Sequence, residues 1–106
     1  MRADGRADIL KTTGPPLGIL CSPSFFAESI ELFPGDVLNL YSDGVPEAFN
    51  PQDEEWGDER LMHCLKHCRH MSPERIISKV FWEIDTFAAD APQHDDITML
   101  VLKRRR

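Results

Sequence analysis

Positive charge is in short supply in this chain, cysteines are few and odd in number, and no long apolar run is present. Of 106 residues, 12 are Lys or Arg against 18 Asp or Glu, a net charge of −6. A nucleic-acid partner is therefore not expected, because a phosphate backbone calls for a basic face. No apolar stretch approaches the length of a membrane span, and the first residues lack the apolar core of a secretory leader. Three cysteines give no paired disulfide framework and fit a reducing compartment, so a cytoplasmic location is expected. No repeat or low-complexity segment occurs. A hydrophobic content of 42% is that of a globular chain, and the length allows one small domain.

Against these absences one stretch stands out, Leu40-Tyr41-Ser42-Asp43-Gly44-Val45-Pro46-Glu47-Ala48. Pro34-Gly35-Asp36 reads as a turn, and Val37-Leu38-Asn39-Leu40-Tyr41 is apolar, aromatic and β-branched enough for a buried strand. Asp43 then falls at a strand end. Gly44 permits either a positive φ or a close backbone approach, leaving the Asp43 carboxylate aimed out of the sheet. Asp-Gly after a strand is by itself an ordinary turn signal.

A second carboxylate pair lies near the other end. His94-Asp95-Asp96-Ile97-Thr98 leads into Met99-Leu100-Val101-Leu102, a closing strand. If the two strands are antiparallel neighbours, the end of one lies beside the start of the other, and Asp43 meets Asp95 and Asp96. Crowded carboxylates repel unless a cation sits between them, and an oxygen-only donor set selects Mg²⁺ or Mn²⁺ over zinc.

Between these strands the pattern is helical. Asp58-Glu59-Arg60-Leu61-Met62 opens a helix running to about Cys68, with Leu61, Cys64, Leu65 and Cys68 on one side. His63, Cys64, His67, Cys68 and His70 resemble a zinc spacing. However, the cysteines fall on the apolar side while His63 and His67 sit about a hundred degrees away, so packing is the better reading. Ser72-Pro73-Glu74-Arg75 is a helix start with a Ser N-cap and Pro at the first helical position. Ile76, Ile77, Val80, Phe81, Ile84, Phe87 and Ala88 then form one stripe, with Trp82 at its rim.

Earlier in the chain, Asp4-Gly5-Arg6 reads as the tip of a hairpin that includes Ile9 to Thr13. Gly14 to Leu20 is a breaker-rich turn, and Phe26 to Leu32 alternates as a strand paired through Pro34-Gly35-Asp36. From Asp43 through Glu59 there are seven carboxylates and no Lys or Arg. This is either a solvated acidic loop or a segment that concentrates metal ions near Asp43. Glu47 is its best candidate for a role beside the metal or at a helix start. Lys103-Arg104-Arg105-Arg106 reads as a solvated tail, with phosphate docking as the alternative.

The order Pro34-Gly35-Asp36-Val37-Leu38, Tyr41-Ser42-Asp43-Gly44-Val45, Glu47-Ala48, Trp56-Gly57, Glu59-Arg60-Leu61 and Asp95-Asp96-Ile97-Thr98 resembles the C-terminal half of a PPM-type, metal-dependent protein serine/threonine phosphatase. The nearest branch is bacterial, that of stage II sporulation protein E and the sigma-factor regulatory phosphatases. The resemblance implies an α+β fold, part of a β-sandwich flanked by helices, mainly antiparallel, with two helices between the last two strands. It implies two Mn²⁺ or Mg²⁺ ions and a metal-activated water attacking a phosphoserine or phosphothreonine. Asp43 and Asp95 match metal ligands, with Gly44, Asp96, Glu47 and His94 as neighbours of the metal site. The family's upstream Asp-x-x-Gly-His-Gly motif, which carries the bridging aspartate, is absent from the 106 residues. Residues 1–106 are therefore expected to be one partial domain that catalyses poorly alone. The expected partner is a phosphoprotein such as an anti-sigma-factor antagonist. The alternative is a non-catalytic interaction module built on the phosphatase fold. A half-sandwich leaves open edges and an uncovered apolar face, so a dimer or strand exchange is expected.

Overall fold

A computed structural model describes residues 1–8, 10, 29–93 and 95–105. At Pro34-Gly35 the chain reverses, with Gly35 at φ 86° and the Asp36 N–H donating to the Phe33 carbonyl at 2.9 Å. The strand β1 (Val37–Tyr41) follows at once, then the helices α1 (Gly57–Cys68) and α2 (Pro73–Ala88), then the strand β2 (Met99–Lys103). β1 and β2 are antiparallel, with Val37 opposite Lys103 and Tyr41 opposite Met99. Both strands and both helices stand where the sequence pattern puts them, and the two helices lie between the paired strands.

The helix boundaries have local causes. Gly57 opens α1 at φ 81°, with open space around the position of a Cβ, so the backbone angle and not crowding calls for glycine there. Asp58 and Glu59 in the first turn and Lys66 and His67 in the last complement the helix dipole. At α2, Ser72 Oγ accepts the Arg75 N–H at 3.4 Å and Pro73 occupies the first turn.

The core joins one face of the sheet to both helices. Val37 and Val101 from the strands, Leu61, Cys64, Leu65 and Cys68 from α1, and Ile76, Val80 and Ile84 from α2 are buried together with Val45 and Trp56. Cys64 and Cys68 thus lie on the leucine side of α1, and His63 and His67 are exposed. Among the described residues no group of three or more His, Cys, Asp or Glu is placed to hold a metal ion, here or elsewhere.

Several expectations are corrected. β1 is not buried on both faces: Leu40, Leu100 and Leu102 are 54%, 60% and 55% exposed, and Leu38 is half-buried on the same face. The strands alternate, and only the face carrying Val37 and Val101 meets the helices. Phe81 leaves the buried stripe of α2 and is 37% exposed, because the tightly packed positions are Ile76, Val80 and Ile84, spaced by four. Residues 29–32 carry no strand, and the remainder of the expected strand from Phe26, with Gly14 to Leu20, lies outside the described residues.

Residues 1–8 form a turn and carry no strand. Arg2 N donates to Arg6 O at 2.7 Å and Gly5 N to Arg2 O at 3.0 Å, with Gly5 at φ 95°. Of the second arm expected from Ile9 to Thr13, only Leu10 is described, and it is not in a strand. The segment is anchored by Asp36, which is only 2% exposed. That carboxylate accepts from the Arg2 guanidinium at 2.7 Å, the Ala3 N–H at 2.8 Å and the Phe33 N–H at 2.9 Å. The Arg2 hydrogen bond first, then the Phe33 and Ala3 N–H groups, hold its pKa down to about 2. Met1 pairs with the outer edge of β1, its N donating to Val37 O at 2.7 Å and its carbonyl accepting from Val37 N at 2.8 Å.

Candidate metal and phosphatase site

The end of β1 and the start of β2 are stitched together by Ser42. Its N–H donates to Thr98 O, its hydroxyl donates to Asp96 O, and the same oxygen accepts the Thr98 N–H, each at 2.9 Å. A five-residue turn follows, closed by Val45 N to Ser42 O and Glu47 N to Asp43 O, both at 3.0 Å. Gly44 is buried in this seam. A Cβ built there would lie 2.3 Å from Asp96 O, 2.9 Å from Asp96 C and 3.3 Å from Asp95 O. Its φ is not positive, so of the two reasons for a glycine the close backbone approach is the one that operates.

The consequence is that Asp43 and the Asp95-Asp96 pair, 52 and 53 residues apart in sequence, belong to one corner of the molecule. All three are exposed. One Asp95 oxygen accepts the Asp96 N–H at 2.9 Å, and the Asp95 carbonyl accepts from Gln93 Nε2 at 2.9 Å. Glu47 stands beside them. Its pKa is raised by desolvation first, then by the negative charges of Asp43, Glu55 and Asp95. A cavity of about 570 Å³ opens between this corner and the end of α2, bounded by Gly44, Glu47, Glu55, Asp85, Asp95 and Ile97. His94 lies outside the described residues.

The acidic stretch between Asp43 and Glu59 is a built loop. The Asn50 side chain accepts the N–H groups of Gln52 at 3.0 Å and Glu54 at 2.9 Å, and donates to Glu54 Oε1 at 3.0 Å. Trp56 is buried beneath the loop, its N–H on Ala48 O at 2.6 Å, and Gly57 N reaches Pro46 O at 2.7 Å. Asp58 Oδ1 accepts from the Tyr41 hydroxyl at 3.3 Å. The loop therefore holds Glu47 and Glu55 at the cavity while its backbone is tied to the turn after Asp43. Sequence reasoning missed Ser42 and Asn50 as the organising polar groups; the hydroxyl directly after a strand and the Asn-Pro pair were the available signals.

The donor set is all oxygen and negatively charged, which fits part of a site for a hard divalent ion. Fewer than three such side chains converge among the described residues, so the set is incomplete.

A family model for Stage II sporulation protein E (SpoIIE) matches residues 1–105. The chain belongs to this family. Its phosphatases are of the PPM type and generally use Mn²⁺ or Mg²⁺. Protein IcfG of Synechocystis sp. is 32% identical over 104 residues, which is 98% of this chain and 16% of IcfG. The SiaA-PP2C domain of Pseudomonas aeruginosa has the same fold over 70% of this chain, with a TM-score of 0.64 and 23% identity. This chain spans 31% of that structure and so less than a third of either relative. The α+β family fold follows from these likenesses. No helix among the described residues is long and apolar enough to cross a membrane.

Proposed function

We propose that this chain is the metal-holding C-terminal part of a phosphoserine/phosphothreonine protein phosphatase, in which Asp43 and Asp95 donate carboxylate oxygens to Mn²⁺ or Mg²⁺. The observation that carries this reading is the seam itself. Ser42 and Gly44 spend three hydrogen bonds and a forced backbone contact on bringing together two segments whose exposed side chains are carboxylates. Divalent ions, if held there by Asp43 and Asp95, would supply an acidified water and charge stabilisation for phosphoryl transfer. The chain's part is to hold and space the ligands: Asp43 and Asp95 bind, Gly44 and Ser42 fix their separation, and Asp96 and Glu47 add negative charge beside them.

The ligand set is completed, in this reading, by the bridging aspartate of the Asp-x-x-Gly-His-Gly motif, which is not among these 106 residues. The chain alone is then a weak metal binder and a poor catalyst. The substrate is a phosphoprotein, in this bacterial branch an anti-sigma-factor antagonist, and the setting is cytoplasmic signalling. A second reading, a non-catalytic interaction module, is favoured by the incomplete ligand set among the described residues. The two separate on Mn²⁺-dependent hydrolysis of a phosphoserine peptide by the longest natural polypeptide containing this sequence. Turnover lost in both Asp43→Asn and Asp95→Asn supports the phosphatase, and turnover unchanged in either overturns the proposed ligand set.

A further inference from the structure

The opposite end of the sheet carries the opposite charge. A groove of about 860 Å³ lies between the turn joining the helices and the C-terminal end of β2, lined by Arg69, Lys103 and Arg105 together with Met71 and Leu102, with Glu74 as the one carboxylate among the described residues that line it. In a chain of net charge −6 this concentration of cations is unexpected. The ion pairs among the described residues are Arg2 with Asp8 and Asp36, Arg6 with Asp4, and Lys79 with Glu83, so none neutralises Arg69, Lys103 or Arg105. Arg69 and Lys103 are instead held by neutral carbonyls. Lys103 Nζ donates to Arg69 O and Met71 O, both at 3.0 Å, and Arg69 Nε donates to Ala3 O at 3.1 Å. Their positions are fixed while no carboxylate among the described residues pairs with them, which is the condition under which a cleft attracts an anion. The N-terminus of α2 at Ser72-Pro73 opens onto the same groove and adds to its positive potential.

We propose that this groove is a docking surface for an acidic segment of a partner protein. Its volume far exceeds what one inorganic oxyanion fills, and Met71 with the exposed Leu102 offers apolar surface between the cations, so the complementary ligand is a peptide that mixes carboxylates with apolar side chains. Lys103 stands opposite Val37 and Met99 opposite Tyr41, so at about 3.3 Å per residue the groove lies roughly 13 Å along the strands from the Tyr41–Met99 pair, with the Asp43 corner beyond that pair. Docking there leaves that corner free and does not depend on the phosphatase reading.

The test is a fluorescence-anisotropy titration of the chain with a labelled peptide alternating Glu and Leu, beside the same peptide with Gln in place of Glu, and with inorganic phosphate as competitor. The Glu peptide is expected to bind about tenfold or more tighter than the Gln peptide, to weaken as salt is raised, and to lose about tenfold in Arg105→Glu. Arg105 makes no hydrogen bond or ion pair among the described residues, so that variant keeps its melting temperature; Lys103→Met serves as the second variant. Equal binding of the two peptides, unchanged affinity in both variants, displacement by phosphate at the peptide's own concentration, or self-association without peptide binding would each overturn the proposal.

Discussion

Gly44→Ala perturbs the seam through one methyl group and nothing else. Gly44 does not have the positive φ that strains an alanine, so the cost is taken as steric. The added carbon meets Asp96 O at 2.3 Å and Asp96 C at 2.9 Å, and both are backbone atoms on the segment entering β2. Ordinary contact requires the two segments to part by about 1 Å, in a place where Ser42 holds them with three hydrogen bonds of 2.9 Å. Overpacking against a side chain costs about 1–3 kcal/mol, and a backbone neighbour that cannot rotate away puts this substitution at the upper end. For a chain of this size that is a fall in Tm on the order of 10 °C. Urea denaturation with a two-state fit measures it, and the amide of Thr98, bonded to Ser42 Oγ, should show faster hydrogen exchange than in the parent. A Gly44→Ala protein within 0.5 kcal/mol of the parent, with Thr98 equally protected, would refute the close approach and with it the reason for a glycine after Asp43.

The remaining predictions concern separate parts of the molecule. Ser42→Ala removes two side-chain hydrogen bonds and leaves the Thr98 N–H without its partner, an expected loss of about 1–2 kcal/mol in the same denaturation experiment. Asp36 has a folded pKa of about 2 against an ordinary 3.8, so its contribution is present above the unfolded value and lost as pH falls through the folded one. Acid titration of stability should therefore show a decline between about pH 4 and pH 2 that is flattened in Asp36→Asn. Ile76→Ala, at a fully buried position of α2, should cost about 2–5 kcal/mol, whereas Trp82→Ala on the exposed side should be close to neutral. The uncovered leucine face gives the expected dimer or strand exchange a surface; a light-scattering mass of a clean monomer at high concentration, unchanged in Leu40→Lys, would count against it.

The parts of the fold that could be read from the sequence are those where one period or one residue decides. Val37–Tyr41 and Met99–Lys103 are apolar runs bounded by turn residues, and Ser72-Pro73 is a start signal that few other structures would use. The approach of the backbone after β1 to that before β2 was foreseeable once the strands were assumed antiparallel, because register follows from hydrogen-bonding geometry. What stayed hidden depends on partners distant in sequence. Asp36 looks like a turn residue, and nothing local announces that Arg2 and Ala3 will bury it. Trp56 lies within the acidic stretch from Asp43 to Glu59, yet it is buried as the loop's anchor, and Phe81 shares the helical stripe but falls outside the tight contacts. The basic groove escaped for the same reason: Arg69 and Lys103 are 34 residues apart, and only the fold sets them side by side.

The central claim is that one divalent ion senses both carboxylate segments at once, and paramagnetic broadening by Mn²⁺ tests it without requiring turnover. Titrated into the isotope-labelled chain, Mn²⁺ should broaden the amides of residues 43–47 and 95–98 together, over the same concentration range, while those of residues 101–105 stay sharp, and Asp43→Asn should weaken the effect at both segments. Broadening confined to one segment, or spread evenly along the acidic loop and unaltered in Asp43→Asn, would contradict a shared site.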